Sequence, residues 1–387
     1  MTAANPGTGT TPHGASWFQR FLLPGFAFKA VVIGGGYATG RELAEFFLGS
    51  GPQGGLMGMV LAMLVWSAIC AGTFALAHAV SAYDYRSFFK TVLGRFWWVF
   101  EIAYLAFVVL ILAVFGAAAG EIGHAVLGWP LLVGSIALAV SIVAVVTFGN
   151  HAVEGLFKYV SVLLYAVYAV FIVLAIATFG DRIGASLARP APTDGWAIGG
   201  LTYASYNVVG AVVILPMMRH LTSRRDAITA GLIAGPLAMI PAILFFVSMI
   251  AFYPGIETQT LPSDYVLRRL DQPWFHLLFQ GMIFAALLES SVGSVHAINE
   301  RIDAVLRERR GTGLSHRARA LLASAILIGC IFVADRIGLV ALIGSGYRFL
   351  AYLILAVYVI PLAIWWIMMP VRRRRSRAGV PPYRAAP

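Results

Sequence analysis

The chain has 387 residues, 60% hydrophobic and only 12% charged, where a soluble domain carries about 25% charge. With a mean hydropathy of +0.83, this composition excludes a water-soluble enzyme, a disulfide-stapled secreted domain and a disordered chain; it predicts an all-α integral membrane protein. The net charge of +11 points to nucleic acid, anionic lipid or orientation in a bilayer, and the positions of the basic residues decide among these.

Residues 1–16 are small, polar and rich in Pro and Gly, and predict a disordered cytoplasmic tail without the basic-then-apolar pattern of a signal peptide. Ten apolar segments follow, at approximately 21–49, 54–80, 96–128, 130–149, 152–180, 196–218, 227–253, 273–299, 318–334 and 347–369. That number suits the length, since each crossing takes about 20 apolar residues. Turn signals such as Gly51-Pro52, Trp129-Pro130 and Tyr253-Pro254-Gly255 separate them. The chain reads as a single transmembrane domain over 17–371, with repeats at 20–180 and 196–370, and a basic cytoplasmic tail over 372–387.

With a cytoplasmic N-terminus, 19 of the 28 basic residues fall on the cytoplasmic side, among them Arg86, Lys90, Arg224, Arg225, Arg317, Arg319 and Arg372–Arg375. Five lie in the opposite loops. This is the positive-inside bias, and it puts both termini in the cytoplasm of a cell-membrane protein. Nucleic acid is not an expected partner, because the basic residues are spread over short loops and abut membrane helices. Anionic lipid at the basic segments is. The two cysteines, Cys70 and Cys330, sit singly in apolar spans and suggest neither a disulfide nor a metal site.

Span one contains Gly34-Gly35-Gly36-Tyr37-Ala38-Thr39-Gly40-Arg41-Glu42. Each glycine costs about 0.8–1 kcal/mol in a helix relative to alanine, so the segment is predisposed to unwind near the bilayer midplane. Unwound backbone at that depth is tolerated only where it is buried in protein or lines a polar cavity. Close helix packing through Gly36 and Gly40 is the alternative. Span six places a polar cluster, Tyr203, Ser205, Tyr206 and Asn207, where a membrane helix should be most apolar. Five spans separate the two segments, so they run in opposite directions, as an inverted five-plus-five repeat requires. Interrupted helices at matching positions of two halves mark a transporter's binding site.

Residues 34–47 and the segment His296-Ala297-Ile298-Asn299-Glu300-Arg301-Ile302 resemble the first-helix and eighth-helix signatures of the YkvI-type membrane protein family. That family is similar to the amino acid–polyamine–organocation superfamily, which has the inverted-repeat fold of the sodium-coupled leucine transporter. The resemblance implies about ten helices with helices one and six broken, and a substrate site between them. On this basis Gly34, Gly35, Gly36, Tyr206, Asn207 and Gly210 are expected to line it, with Tyr37, Thr39 and Tyr203 beside them.

Ionisable groups at depth cost about 2.5–3.5 kcal/mol and need a reason to be there. Glu289 lies roughly 18 Å of helix from Arg301, at mid-depth, where it would bind a proton, accept a substrate ammonium or bond a neighbouring helix. Ser290 and Ser291 match the region where superfamily members bind sodium, although such serines also bond their own backbone. Lys158 forms an i,i+4 pair with Glu154 and is, by the resemblance, the competing coupling residue, since a lysine on helix five takes the place of sodium in some members. Glu42 either gates the site or is neutralised by Arg41. Glu101 beside Trp97-Trp98 reads as interfacial, Glu121 and His124 as a polar pair, and Tyr104 as a residue that would face the pathway.

These features predict a secondary active transporter of a small solute, an amino acid or related amine, with sodium or a proton as coupling ion and no other cofactor. No phosphate-binding loop for a primary pump occurs, and no nucleophile–base set for a membrane-embedded enzyme. A channel or ligand sensor on the same fold is the other reading.

Overall fold

In the computed structural model, which describes residues 16–148, 150–310 and 313–377, every regular element is a helix. Seven of the helices are long and apolar enough to cross a membrane, and a shorter apolar helix covers 131–147. The two remaining crossings, spans one and six, are the interrupted ones. The tally of ten expected spans is thereby reached, in a multi-pass membrane protein.

Span one runs as Leu23–Val32, Gly35–Ala38 and Arg41–Phe47. Span two is Gly51–Val80, span three Trp97–Leu127, span four Leu131–Phe148 and span five Asn150–Ala188. Span six is Trp196–Asn207 and Val209–Val213, followed by a 3-10 turn over Leu215–His220. Span seven is Arg224–Ile250, span eight Pro273–Arg310 and span nine His316–Ile337; span ten passes from Leu339 to Arg377 through two π-helical stretches, Leu342–Gly346 and Leu355–Val359.

Local sequence sets the ends. Pro52 opens span two in its first turn, where a missing N–H costs nothing. Span three stops at Gly128, whose φ of 68° is the left-handed cap that glycine adopts without strain. Two short helices that the apolar pattern had not indicated lie between spans. Tyr85–Leu93 begins where the Asp84 carboxylate accepts the Ser87 amide at 2.9 Å, and Pro262–Arg269 begins at a proline. Spans five and eight are also longer than expected, because both continue past their apolar stretches into polar turns.

Spans two and seven form the tightest pair. Gly231 and Gly235 of span seven press on Cys70, Ala71, Met63 and Ser67 so closely that a Cβ at either position would collide. Small residues of this kind let membrane helices approach and hydrogen-bond, as Ser67 does by donating to the Leu232 carbonyl at 2.9 Å. Both cysteines are free and buried. Large apolar side chains such as Leu321, Ile328 and Ile367 point outward, as a lipid-facing surface requires. Arg20 pairs with Asp226 at 2.7 Å and Arg224 stacks on Trp366 at 5.3 Å, so the start of the first span and the end of the last both contact the start of span seven, at the end of the bundle called here the termini side.

Candidate binding site at the interrupted helices

Span one leaves the helical conformation at Ile33, with φ −75° and ψ 77°, and Gly34 donates to the Val32 carbonyl at 2.8 Å. After one helical turn, the Thr39 hydroxyl donates to the Gly36 carbonyl at 2.9 Å. Gly40 then takes a left-handed φ of 78°, and the outer half-helix starts at Arg41. The glycine-rich segment therefore unwinds twice, at 33–34 and at 39–40. Span six is interrupted more gently: Val208 keeps right-handed dihedrals of −62° and −14°, and the helix resumes one residue later. Its polar side chains explain the difference. Ser205 donates to the Leu201 carbonyl at 2.7 Å and Asn207 to the Tyr203 carbonyl at 3.1 Å, so both serve their own helix.

Glu42, only 4% exposed, is the centre of the site. The turn at Gly40 folds the outer half-helix back so that the Glu42 carboxylate lies against Gly36, where any Cβ would collide with it. The Tyr206 hydroxyl donates to Glu42 Oε2 at 2.7 Å, joining span one to span six. Tyr37, Tyr203 and Tyr347 are also within electrostatic reach of this carboxylate. The Tyr203 and Tyr347 hydroxyls are buried without a hydrogen-bond partner, while those of Tyr37 and Tyr168 interact with each other. The Tyr37 and Tyr168 rings lie 6.2 Å apart, those of Tyr206 and Tyr347 4.6 Å, and those of Tyr203 and Tyr206 5.7 Å. Leaving phenols unpaired in a packed interior is costly, and it provides hydrogen-bonding capacity for a polar ligand.

Of the residues expected at the site, Gly34, Gly36, Tyr37, Thr39, Tyr203 and Tyr206 come together here. Gly34 packs on Phe115, whose Cζ would stand 2.9 Å from a Cβ; Gly35 begins the short turn Gly35–Ala38. Gly210 instead seats the Phe28 ring of the inner half-helix, and Asn207 is turned to its own backbone. Tyr168 of span five, Tyr347 of span ten and Trp66, which donates to the Ala204 carbonyl at 3.2 Å, were not singled out by the sequence. The expected gating residue, Glu42, is a member of the cluster, and Arg41 pairs with Glu45 rather than with Glu42.

Glu289 stands on span eight, half-buried, in electrostatic contact with Tyr165. The Lys29 ammonium lies 3.7 Å from the Tyr165 ring centroid, which brings spans one, five and eight together on the inner side of the break. Ser291 is fully buried with an unpartnered hydroxyl, and Ser290 offers its carbonyl to Ser294 at 2.9 Å. The Lys158 side chain lies outside the described residues.

On the side away from the termini, polar contacts tie span one to its neighbours, beside a cavity of about 240 Å³ lined by Gln259, Asp264 and Arg268. Arg41 donates to Glu45 and to the carbonyls of Glu257 and Gln259, each at 2.9 Å, while Arg348 approaches Glu45 at 3.7 Å. The short helix Pro262–Arg269 closes over the break, Ser263 donating its amide to the Thr39 carbonyl at 3.0 Å. That helix is tied down by Asp264, which accepts from His276 at 2.7 Å and from Arg268 at 2.6 Å. Burial alone would raise the Asp264 carboxyl, but these bonds hold it below its ordinary range. Toward the termini side a cavity of about 170 Å³ is lined by Tyr104, Val212, Pro216 and Arg301. Tyr104 is part of that lining. The Arg301 guanidinium stacks on Tyr85 at 4.2 Å and on Tyr104 at 4.6 Å, and it pairs with Glu101 at 3.3 Å.

An all-helical membrane bundle with interruptions in spans one and six has the inverted-repeat fold of the sodium-coupled leucine transporter. Two solved structures similar to it are a Na+-coupled sialic acid symporter in its substrate-bound outward-open state, with TM-score 0.54 and 12% identity over 89% of this chain and 82% of that one, and the manganese transporter of Eremococcus coleocola, with TM-score 0.53 and 15% identity over 91% and 80%. The structural neighbours are secondary transporters, and at these identities they establish the fold. In sequence the chain is similar to the uncharacterized membrane protein YkvI of Bacillus subtilis, 24% identical over 339 residues, which cover 86% of this chain and 92% of that protein. No protein-family profile matches the chain.

Proposed function

We propose that the protein is a secondary active transporter of the cell membrane, carrying a small solute, an amino acid or related amine, by ion-coupled alternating access, and that it is not an enzyme. The observation that carries this reading is the Tyr206–Glu42 hydrogen bond across the two interrupted spans, surrounded by buried phenols with unused hydrogen-bonding capacity. A solute held there bridges two segments that belong to opposite halves of the repeat, so its binding energy can bias how the halves rock. Sodium or a proton is the coupling ion in this reading, with Glu289, Ser290, Ser291 and Lys158 as its candidate residues.

The test is uptake by proteoliposomes under imposed sodium or proton gradients, screening amino acids and amines. Accumulation above the equilibrium level, lost when the gradient collapses, is expected. Flux that only equilibrates the solute would identify a channel, and binding without flux a sensor.

A further inference from the structure

The Glu42 carboxylate has an environment that discriminates among the solutes just considered. It is buried, its hydrogen bond comes from a neutral phenol, and among the described residues it enters no ion pair. The one basic neighbour in sequence, Arg41, is committed to Glu45 and two backbone carbonyls. A buried carboxylate lacking a cation is costly, and the cost falls when a positive ligand docks on it. Around it stand electron-rich rings: Tyr203, Tyr206 and Tyr347, with Phe46 5.8 Å from Tyr206 and 5.9 Å from Tyr203. Aromatic faces attract cations.

The same carboxylate works against an α-amino acid. It lies against Gly36, in the short helical turn between the two unwound points of span one, where a substrate carboxylate would have to approach the backbone. Once an amine cation holds Glu42 in its ionised form, a carboxylate on the same substrate brings a second negative charge into the cluster, where little water is present to screen it. Resting on the transport reading above, we propose that the substrate is an organic amine cation with an apolar or aromatic body and no carboxylate, its charged nitrogen held by Glu42 within the tyrosine cluster. Glu42 is then the specificity-determining residue, and the unpartnered phenols serve the amine's N–H groups or neighbouring hydroxyls through their oxygens.

Matched pairs differing only in the carboxylate test this: phenethylamine against phenylalanine and isobutylamine against valine, titrated into the purified full-length protein in lipid nanodiscs. The amine of at least one pair is expected to bind about tenfold or more tightly than its amino acid, with Glu42→Gln erasing that preference and Glu42→Asp, which keeps the charge, retaining it. The thermal unfolding profile of each variant without ligand verifies that it is folded. The assignment is overturned if the amino acids bind as tightly as the amines, if Glu42→Gln leaves amine affinity unchanged, or if no amine binds. In those cases concentrative uptake of an amino acid, or of another solute from the wider panel, would show the transport reading standing without it; absence of any concentrative uptake would remove that reading too.

Discussion

Tyr206 and Glu42, 164 positions apart in the chain, meet in a 2.7 Å hydrogen bond where spans one and six are both interrupted. A bond to an ionised group contributes about 1.5–3 kcal/mol, and losing it leaves the carboxylate buried without its donor. Tyr206→Phe is therefore expected to lower the thermal unfolding temperature in nanodiscs and to weaken solute binding. An unchanged melting profile and unchanged affinity would show that the two interrupted spans are held together by packing alone.

Gly36 has no space for a side chain, because a Cβ would run into the Glu42 carboxylate. Gly184, near the C-terminal end of span five, has nothing within 4 Å of its Cβ position. Gly36→Ala should reduce uptake by about tenfold or more, whereas Gly184→Ala should leave it intact and add up to about 1 kcal/mol of helix stability. Uptake and melting temperature measured on both proteins decide the matter, and equal behaviour of the two would count against the close approach at Gly36.

Arg41 ties down the outer half of span one through three hydrogen bonds, while Arg348, more exposed, adds one longer contact. In a background with Cys70 and Cys330 replaced by alanine, a Thr39→Cys reporter should be labelled by a membrane-impermeant thiol reagent about tenfold faster when Arg41→Ala is added, which corresponds to about 1.4 kcal/mol in the opening equilibrium. Arg348→Ala should have the smaller effect. The reverse order would locate the main constraint elsewhere.

Glu289, proposed above as a coupling residue, stands near Tyr165 and the inner half of span one. Glu289→Gln removes its charge with little change of shape, and gradient-driven uptake should fall by about tenfold while equilibrium exchange of solute persists. Coupled uptake at the native rate in that variant would remove Glu289 from the coupling site.

The outer short helix carries a pH dependence whose sign follows from Asp264. Bonds from His276 and Arg268 depress its carboxyl below the ordinary 3.8 despite burial, so the ion is favoured in the folded state. Its stabilising contribution is complete above the unfolded value and is lost as pH falls through the lower folded value. The difference in melting temperature between the native protein and Asp264→Asn should be steady near neutrality and shrink below about pH 4. A difference that grows on acidification would contradict the assignment.

Much of this site was readable before any coordinates, and the misses have physical causes. The glycines at 34, 35, 36 and 40 announced an unwound segment, because four glycines in seven residues disfavour a helix on intrinsic propensity. The polar run at 203–207 announced a second interruption, but Ser205 and Asn207 satisfy their own helix, so the backbone there stays nearly helical. Glu42 was legible as unusual and not as central. Its direction is set by the left-handed turn at Gly40, a dihedral fact that residue spacing does not encode. Tyr168 and Tyr347 reach the cluster from spans five and ten through long-range packing, and fifteen tyrosines gave no way to prefer them. The short helices at 85–93 and 262–269 carry local signals, an Asp84 cap and a leading Pro262, but both are too short and too polar to read as crossings.

Because the Glu42 carboxylate belongs to the chain, it stays in the carrier after the solute has left. For a monovalent cationic solute, the loaded centre is electrically neutral there, as is an empty centre that has taken up a proton, whereas an empty centre without that proton carries one negative charge through any rearrangement of the bundle. A membrane potential acts on a moving elementary charge with about 2.3 kcal/mol per 100 mV for a full crossing, and in proportion for a partial one. Voltage would then act chiefly on the return of the unprotonated empty carrier, and the potential would appear in the turnover rate more than in the affinity for solute.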